Sequence, residues 1–119
     1  MNKTEFINQL KKLVSFETVT GNVAENAKAL DYIQNLITKT AIVKRVQNNG
    51  IEVLIASNTK SMKPNIAYLV HADVVSAQPK QFKLNLIKDK AYGRGVSDMK
   101  FSIPMGVELL NTVISKRQS

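Results

Sequence analysis

A short apolar segment, residues 65–70 (Asn-Ile-Ala-Tyr-Leu-Val), leads directly into the only histidine of the chain, His71. An almost continuous apolar run of this length, preceded by a polar turn, is typical of a central strand buried on both faces. Such a strand has to be covered on each side by another layer, and helices commonly form that layer. Together with the order of the helices and strands described next, the segment predicts an α/β domain in which helices flank a mixed sheet.

The helices of this domain are predicted from apolar residues at helical spacing. They cover roughly residues 3–15, 22–38 and 99–114. Asn2 and Glu5 make a capping box at the start of the first helix. In the last helix, Pro104 has to lie in the first turn or kink the helix, because proline lacks the backbone N–H that the helix interior needs.

Besides the central strand, shorter β segments are predicted over residues 41–46, 51–56, 84–88 and 91–92. Asn48-Asn49-Gly50 predicts a tight hairpin turn between the first two, because Asn-Gly readily adopts positive φ angles. The last two form a short ribbon around Asp89-Lys90. The elements together fit one domain over residues 1–119.

Composition narrows the cellular setting and the chemistry. The chain has no cysteine, which excludes disulfides, thiolate zinc sites and cysteine nucleophiles and fits a reducing compartment. Residues 1–6 lack the apolar stretch of a signal peptide, and no apolar run approaches the roughly 20 residues that cross a bilayer. We therefore expect a soluble, cytoplasmic protein with no membrane partner.

A net charge of +8 raises the alternative of a basic nucleic-acid-binding module. The basic residues are spread along the chain, however, and none lies in a block interleaved with aromatic residues. Tryptophan is absent, so a platform on which bases stack is not expected. We interpret the charge as a solvated, lysine-rich surface and expect no nucleic-acid partner.

Two aspartates accompany the histidine in a pattern that suits a metal. His71 and Asp73 lie two residues apart, so they project to one face if the strand continues that far. Asp98 follows a Gly-Arg-Gly turn at the predicted start of the last helix. Imidazole and carboxylate are both zinc ligands, and a neighbouring carboxylate can orient an imidazole. Each residue alone also has a simpler structural role: a hydrogen-bonded histidine at a strand end, or an aspartate that caps a helix.

The combination resembles a family. The segments His71-Ala72-Asp73-Val74-Val75 and Asp89-Lys90-Ala91-Tyr92-Gly93-Arg94-Gly95-Val96-Ser97-Asp98-Met99-Lys100 are similar to the N-terminal signature of the zinc-dependent exopeptidases and amidohydrolases. These include acetylornithine deacetylase, succinyl-diaminopimelate desuccinylase, aminoacylases and glutamate carboxypeptidases. Residues 15–21 also resemble the family's opening, so the likeness covers nearly the whole chain.

The resemblance implies roles for particular residues. His71 would be a ligand of one zinc, Asp98 would bridge two zincs, and Asp73 would orient His71. Arg94 would hold the loop that presents Asp98, whereas Lys100 receives no chemical role. The complete enzyme would hold two Zn²⁺ ions, with Co²⁺ or Mn²⁺ as substitutes. As a metallopeptidase or deacylase, it would use a zinc-bound hydroxide to cleave the amide bond of an N-acyl amino acid or a small peptide.

The resemblance also implies that much of such an enzyme is absent here. Residues 1–119 would be the N-terminal part of the catalytic domain, without its remainder and without the lid or dimerisation domain through which the complete enzyme would form a homodimer. The family's general base comes from a Glu-Glu pair, yet Glu108 is the only acidic residue after Asp98. We therefore expect weak metal binding, no turnover and poor solubility of this chain alone. The alternative is a truncated, inactive family fragment or a non-catalytic partner protein.

Two positions depart from the family pattern. Ser76 occupies a position where proline is usual, and Phe101 and Ser102 stand where small glycines are usual. Glycine at the latter positions would let a helix pack closely beneath the metals. These departures bear on the substrate class more than on metal binding.

Overall fold

The computed structural model describes residues 1–61 and 63–118. Its regular elements are α1 (Lys3–Ser15), α2 (Val23–Leu36), β1 (Ile42–Asn48), β2 (Ile51–Ser57), β3 (Asn85–Ile87), β4 (Lys90–Tyr92) and α3 (Ser102–Gln118). A short 3-10 helix lies at Pro79–Phe82, and a π-helical turn lies at Val96–Lys100. Within these ranges, no helix is both long enough and apolar enough to cross a membrane.

The two predicted N-terminal helices are confirmed. The Asn2 side chain accepts a hydrogen bond of 2.8 Å from the backbone N–H of Glu5, as the capping prediction requires. The second helix ends at Leu36, slightly earlier than predicted. At this end, a side chain of α3 forms hydrogen bonds with main-chain groups that would otherwise continue the helix. There Asn111 accepts from the Thr38 N–H and donates to the Leu36 carbonyl, both at 2.9 Å.

The predicted hairpin is also confirmed. β1 and β2 pair antiparallel in a register that sets Asn48 opposite Ile51 and Ile42 opposite Ser57. Asn49 and Gly50 form the turn with φ angles of 53° and 78°, the left-handed region that Asn and Gly tolerate best. The predicted ribbon forms as well, with β3 and β4 antiparallel and Leu86 opposite Ala91.

The core lies where the three helices meet. Leu13 of α1, Ile33 of α2 and Ile103 of α3 pack together with Ile37, and each is at least nine-tenths buried. A second cluster joins Leu10 and Val14 of α1 to Leu84, which lies just before β3. α1 therefore packs on both sides, and it supports the segments that carry the candidate site.

The prediction of a central strand over residues 65–70 is wrong for this structure. The segment is neither helix nor strand, and Ile66 and Leu69 are 86% and 87% exposed. A strand forms only where a neighbouring strand accepts its backbone hydrogen bonds, and the described residues pair none with this segment. The sheets are consequently two separate antiparallel pairs rather than one mixed sheet, although the α/β character of the chain holds.

The last helix begins later than predicted. Asp98 and Met99 have non-helical backbone angles, with φ of −132° and −139°, so Val96–Lys100 is an irregular turn. α3 starts only at Ser102, and Pro104 lies in its first turn, one of the two placements predicted. Asp98 is therefore not the first residue of a helix but belongs to the loop in front of α3.

Candidate metal centre

The segment that carries His71 is held by the loop between α1 and α2. Val19 and Val74 form a parallel β-bridge, in which the Val74 N–H donates to the Thr18 carbonyl and the Thr20 N–H donates to the Val74 carbonyl. The Thr18 hydroxyl is fully buried and donates to the Ala72 carbonyl at 2.6 Å. These bonds fix residues 72–74 against the end of α1.

His71 contacts both predicted aspartates. Its Nδ1 atom lies 3.1 Å from the Asp73 carbonyl oxygen and 3.3 Å from Asp73 Oδ1. On the opposite side of the ring, Nε2 lies 3.1 Å from Asp98 Oδ1. The structure therefore brings together all three residues singled out in the sequence, with the imidazole between the two carboxylates.

The Gly-Arg-Gly turn determines where Asp98 lies. The Arg94 N–H donates to the Gln81 carbonyl at 2.7 Å, and the Lys100 N–H donates to the Gly95 carbonyl at 2.7 Å. Gly95 has a φ of 85°, and a Cβ at this position would lie 2.8 Å from Val74 Cγ1. Glycine is thus required both by the backbone angle and by the close approach to Val74, the bridge residue beside Asp73. This packing brings Asp98, whose side chain is 88% exposed, next to His71.

A cleft of about 370 Å³ opens between these two segments. Thr20, His71 and Asp73 line one side, and Ser97 and Asp98 line the other. Arg94 also lines the cleft. Over residues 1–61 and 63–118, no three histidine or carboxylate side chains are grouped so that they could hold one ion.

Comparison with known proteins identifies the family. The chain is 37% identical over 112 residues to succinyl-diaminopimelate desuccinylase of Orientia tsutsugamushi (strain Boryong), a match that covers 87% of this chain. It is 34% identical over 117 residues to the desuccinylase of Rickettsia canadensis (strain McKiel) and 34% identical over 114 residues to that of Rickettsia prowazekii (strain Madrid E), each match covering 82% of the chain. The chain belongs to the amidohydrolase family of these desuccinylases.

The match to these relatives is partial. The chain spans 28% of the length of each of the three. No family model matches the chain. The family membership is the one predicted from the two motifs, and it rests on similarity over most of this chain and a minor part of each relative.

Sequence reasoning missed Thr20, which holds Asp73. The Thr20 hydroxyl donates to Asp73 Oδ2 at 2.7 Å, so the carboxylate beside His71 is itself anchored. An anchored carboxylate restricts the orientation of the imidazole that contacts it. The only signal in the sequence is that Thr18 and Thr20 alternate in a loop, which is too common to indicate this contact.

Sequence reasoning also left Lys100 without a role. Its side chain is fully buried, and Nζ donates to the carbonyls of Leu13 and Phe16 at 2.9 and 3.0 Å. Burial lowers the pKa of Lys100 to about 8, and the nearby Glu25 carboxylate opposes this only in part. Lys100 therefore joins the turn that carries Asp98 to the carboxyl end of α1, where a cation is favoured by the helix dipole.

The donors in the cleft are compatible with zinc. Two donor atoms bound to one tetrahedral zinc at about 2.0–2.1 Å lie roughly 3.3 Å apart. The 3.1 Å between His71 Nε2 and Asp98 Oδ1 is close to this separation. A catalytic zinc normally has three protein ligands, however, and the described part of the chain offers two.

Proposed function

We propose that this chain is part of a zinc-dependent amide hydrolase, in which His71 binds one zinc and Asp98 bridges two. The complete enzyme would remove the acyl group from an N-acyl amino acid. Because the relatives are named for succinyl-diaminopimelate, an N-succinylated diamino acid is the proposed substrate. The observation that carries the proposal is the contact of His71 Nε2 with Asp98 across a cleft, with Asp73 on the other side of the ring.

The residues of this chain would act by orienting the metal ligands. With its Nδ1–H donated to the Asp73 carbonyl oxygen, and with the Asp73 carboxylate at 3.3 Å from the same nitrogen, His71 presents the lone pair of Nε2 to the cleft. Thr20 holds the Asp73 carboxylate, so the imidazole and its partner are ordered together. Asp98 is largely exposed and has a second carboxylate oxygen available for another ion. When bound, zinc would supply Lewis-acid activation of the water that attacks the amide carbonyl.

The general base and the remaining ligands would come from the portion of the enzyme that this chain does not match. A general base must lie within hydrogen-bond reach of the attacking water. In the described part of the chain, no acidic side chain besides Asp73 and Asp98 lines the cleft. We therefore expect weak zinc binding and no hydrolysis by the chain alone. The same observation favours the second candidate, a family fragment without catalytic activity of its own.

Zinc titration by calorimetry tests the ligand assignment. We expect His71→Ala and Asp98→Asn each to lower the zinc affinity roughly 10-fold or more, since each removes one of two donors. Asp89→Asn is the matched control, because Asp89 is an exposed carboxylate in the turn between β3 and β4, outside the cleft. Equal zinc affinity in wild type and both site variants would show that the ion binds elsewhere.

A further inference from the structure

A second cleft, of about 270 Å³, adjoins the cleft that contains His71 and Asp98, and its lining is basic. We refer to the two as the basic cleft and the metal cleft. The basic cleft is lined by three cationic and three uncharged polar residues, namely Lys80, Lys83, Arg94, Gln81, Asn85 and Tyr92. Among the residues that the structure describes, no carboxylate lines this cleft.

The positive charge of the basic cleft is not compensated by the protein. In the described part of the chain, none of Lys80, Lys83 and Arg94 forms an ion pair. Arg45 on the β1–β2 hairpin, by contrast, forms ion pairs with two carboxylates at 2.9 and 2.6 Å. Like charges that line one concavity repel each other and raise the local concentration of anions. The basic cleft therefore favours an anion as its occupant.

Arg94 gains most from such an occupant. The residue is half-buried, and its Nε atom is shielded from solvent without a hydrogen-bond partner among the described residues. A guanidinium has only donors, so partial burial without partners is costly. Its planar fork matches the paired oxygens of a carboxylate or a phosphate. An anion in the basic cleft would offset the charge of this side chain.

The carboxylates of the metal cleft do not take this role. Arg94 lines that cleft as well, beside Asp73 and Asp98. Both carboxylates contact His71, at 3.3 and 3.1 Å, and neither forms an ion pair with Arg94. The charge of Arg94 therefore remains available to a ligand in the basic cleft.

The walls of the basic cleft are held in place by packing. Lys83 lies between Phe82 and Leu84, which are only 7% and 8% exposed, so the backbone on both sides of the lysine is fixed by the core. The Arg94 N–H donates to the Gln81 carbonyl at 2.7 Å, which joins the two walls. A ligand would then order only the flexible ends of the lysine side chains, and this lowers the entropic cost of binding.

The surrounding ribbon adds to the attraction. Residues 79–94 contain five basic residues and one acidic residue, Asp89. Two of the basic residues, Lys88 and Lys90, are exposed at the turn of the β3–β4 ribbon and lie outside the cleft. They would draw anions toward this face without contacting the ligand.

We propose that the basic cleft binds a small dianion, either a phosphate group or a dicarboxylate. Arg94 would bind two of its oxygens, and Lys80 and Lys83 would act as point charges. The volume of about 270 Å³ lies below the range of pockets for drug-sized ligands, which suits a ligand of this size. The site uses none of His71, Asp73 and Asp98, so it does not depend on the proposed metal centre.

Titration with inorganic phosphate and, separately, with succinate tests the proposal. Amide chemical shifts are followed by NMR at pH 7.5 and low ionic strength, in buffer freed of metal ions. We expect saturable binding of at least one of the two anions, with the shifts centred on residues 80–85 and 92–94. Saturation by phosphate alone would identify a phosphate ester as the ligand class, and saturation by succinate alone would identify a dicarboxylate.

Paired variants separate the cleft from the general charge. Lys80→Gln combined with Lys83→Gln should weaken binding roughly 10-fold or more, because it removes two of the three cations. Both lysines are exposed, so the fold should be retained. Lys88→Gln combined with Lys90→Gln is the matched control: it removes the same charge from the same ribbon and should weaken binding less than about threefold. His71→Ala should bind the anion as the wild type does.

Three results would overturn the proposal. One is a shift that grows linearly with concentration for both anions, without saturation. Another is equal weakening by the two double variants, which would show a diffuse lysine surface. The last is a set of shifts centred on Thr20 and His71, which would place the anion in the metal cleft.

Discussion

Replacement of Lys100 by methionine should destabilise the fold, and increasingly so as the pH rises. Methionine has a similar length but cannot donate to the Leu13 and Phe16 carbonyls, which Lys100 Nζ now reaches at 2.9 and 3.0 Å. Loss of a partner costs about 1–3 kcal/mol for each buried carbonyl. The substitution also removes a buried cation, and this change by itself would stabilise the folded state.

The size of that opposing effect follows from the pKa of Lys100. Burial lowers the pKa from 10.5 to about 8, with Glu25 of α2 the one charged group that opposes the decrease. At about 1.4 kcal/mol per pKa unit, the folded state disfavours the protonated side chain by about 3 kcal/mol. At pH 7 the two effects largely offset, and we expect Lys100→Met to destabilise the protein by at most about 3 kcal/mol.

The pH dependence has a definite sign. The pKa of Lys100 is lower in the folded state than in the unfolded state. Between about pH 8 and 10.5, the unfolded chain therefore binds more protons at this residue than the folded chain does. Lys100 consequently makes the free energy of unfolding rise with pH across that window. Neutral Lys100 keeps two N–H donors for its two carbonyls. The destabilisation by Lys100→Met should therefore be about 3 kcal/mol larger at pH 10.5 than at pH 7.

Urea denaturation of both proteins at pH 7, 9 and 10.5, with a chelator present, measures this difference. Lys60→Met serves as the control, because Lys60 is exposed in the turn after β2 and its replacement should cost little stability at pH 7. A destabilisation by Lys100→Met that stays constant, or that shrinks with rising pH, would refute the argument that Lys100 is buried at a desolvation cost.

Three further substitutions test the contacts that position the cleft residues and the packing of α3 against α2. Gly95→Ala should cost about 2 kcal/mol or more of unfolding free energy in urea denaturation, because φ is 85° and the new Cβ would lie 2.8 Å from Val74. Thr20→Val should lower calorimetric zinc affinity roughly 10-fold with little loss of stability, since it frees Asp73. Asn111→Ala should lower the thermal midpoint through a loss of about 1–3 kcal/mol, because it removes the bonds to the end of α2; an unchanged midpoint would contradict this.

The elements that the sequence determined by itself are those whose causes are local. Asn2 caps α1 through Glu5, three residues away, and Asn49-Gly50 closes a hairpin whose strands are adjacent in the chain. Such contacts involve neighbours that the sequence displays directly, so their geometry is predictable from residue type and spacing. The family likewise followed from two motifs whose residue order and spacing are visible in the chain, and the relatives confirm it.

What the tertiary structure decided depends on partners that are remote in sequence. Lys100 reaches carbonyls 84 and 87 residues away, and Thr20 reaches an aspartate 53 residues away, so neither contact has a local signature. The apolar pattern of residues 65–70 identified a segment suited to a central strand. Such a pattern reports the character of the side chains, however, and does not show where the backbone hydrogen bonds go. Whether a strand forms depends on a neighbour that accepts its backbone hydrogen bonds, and no neighbour among the described residues does so.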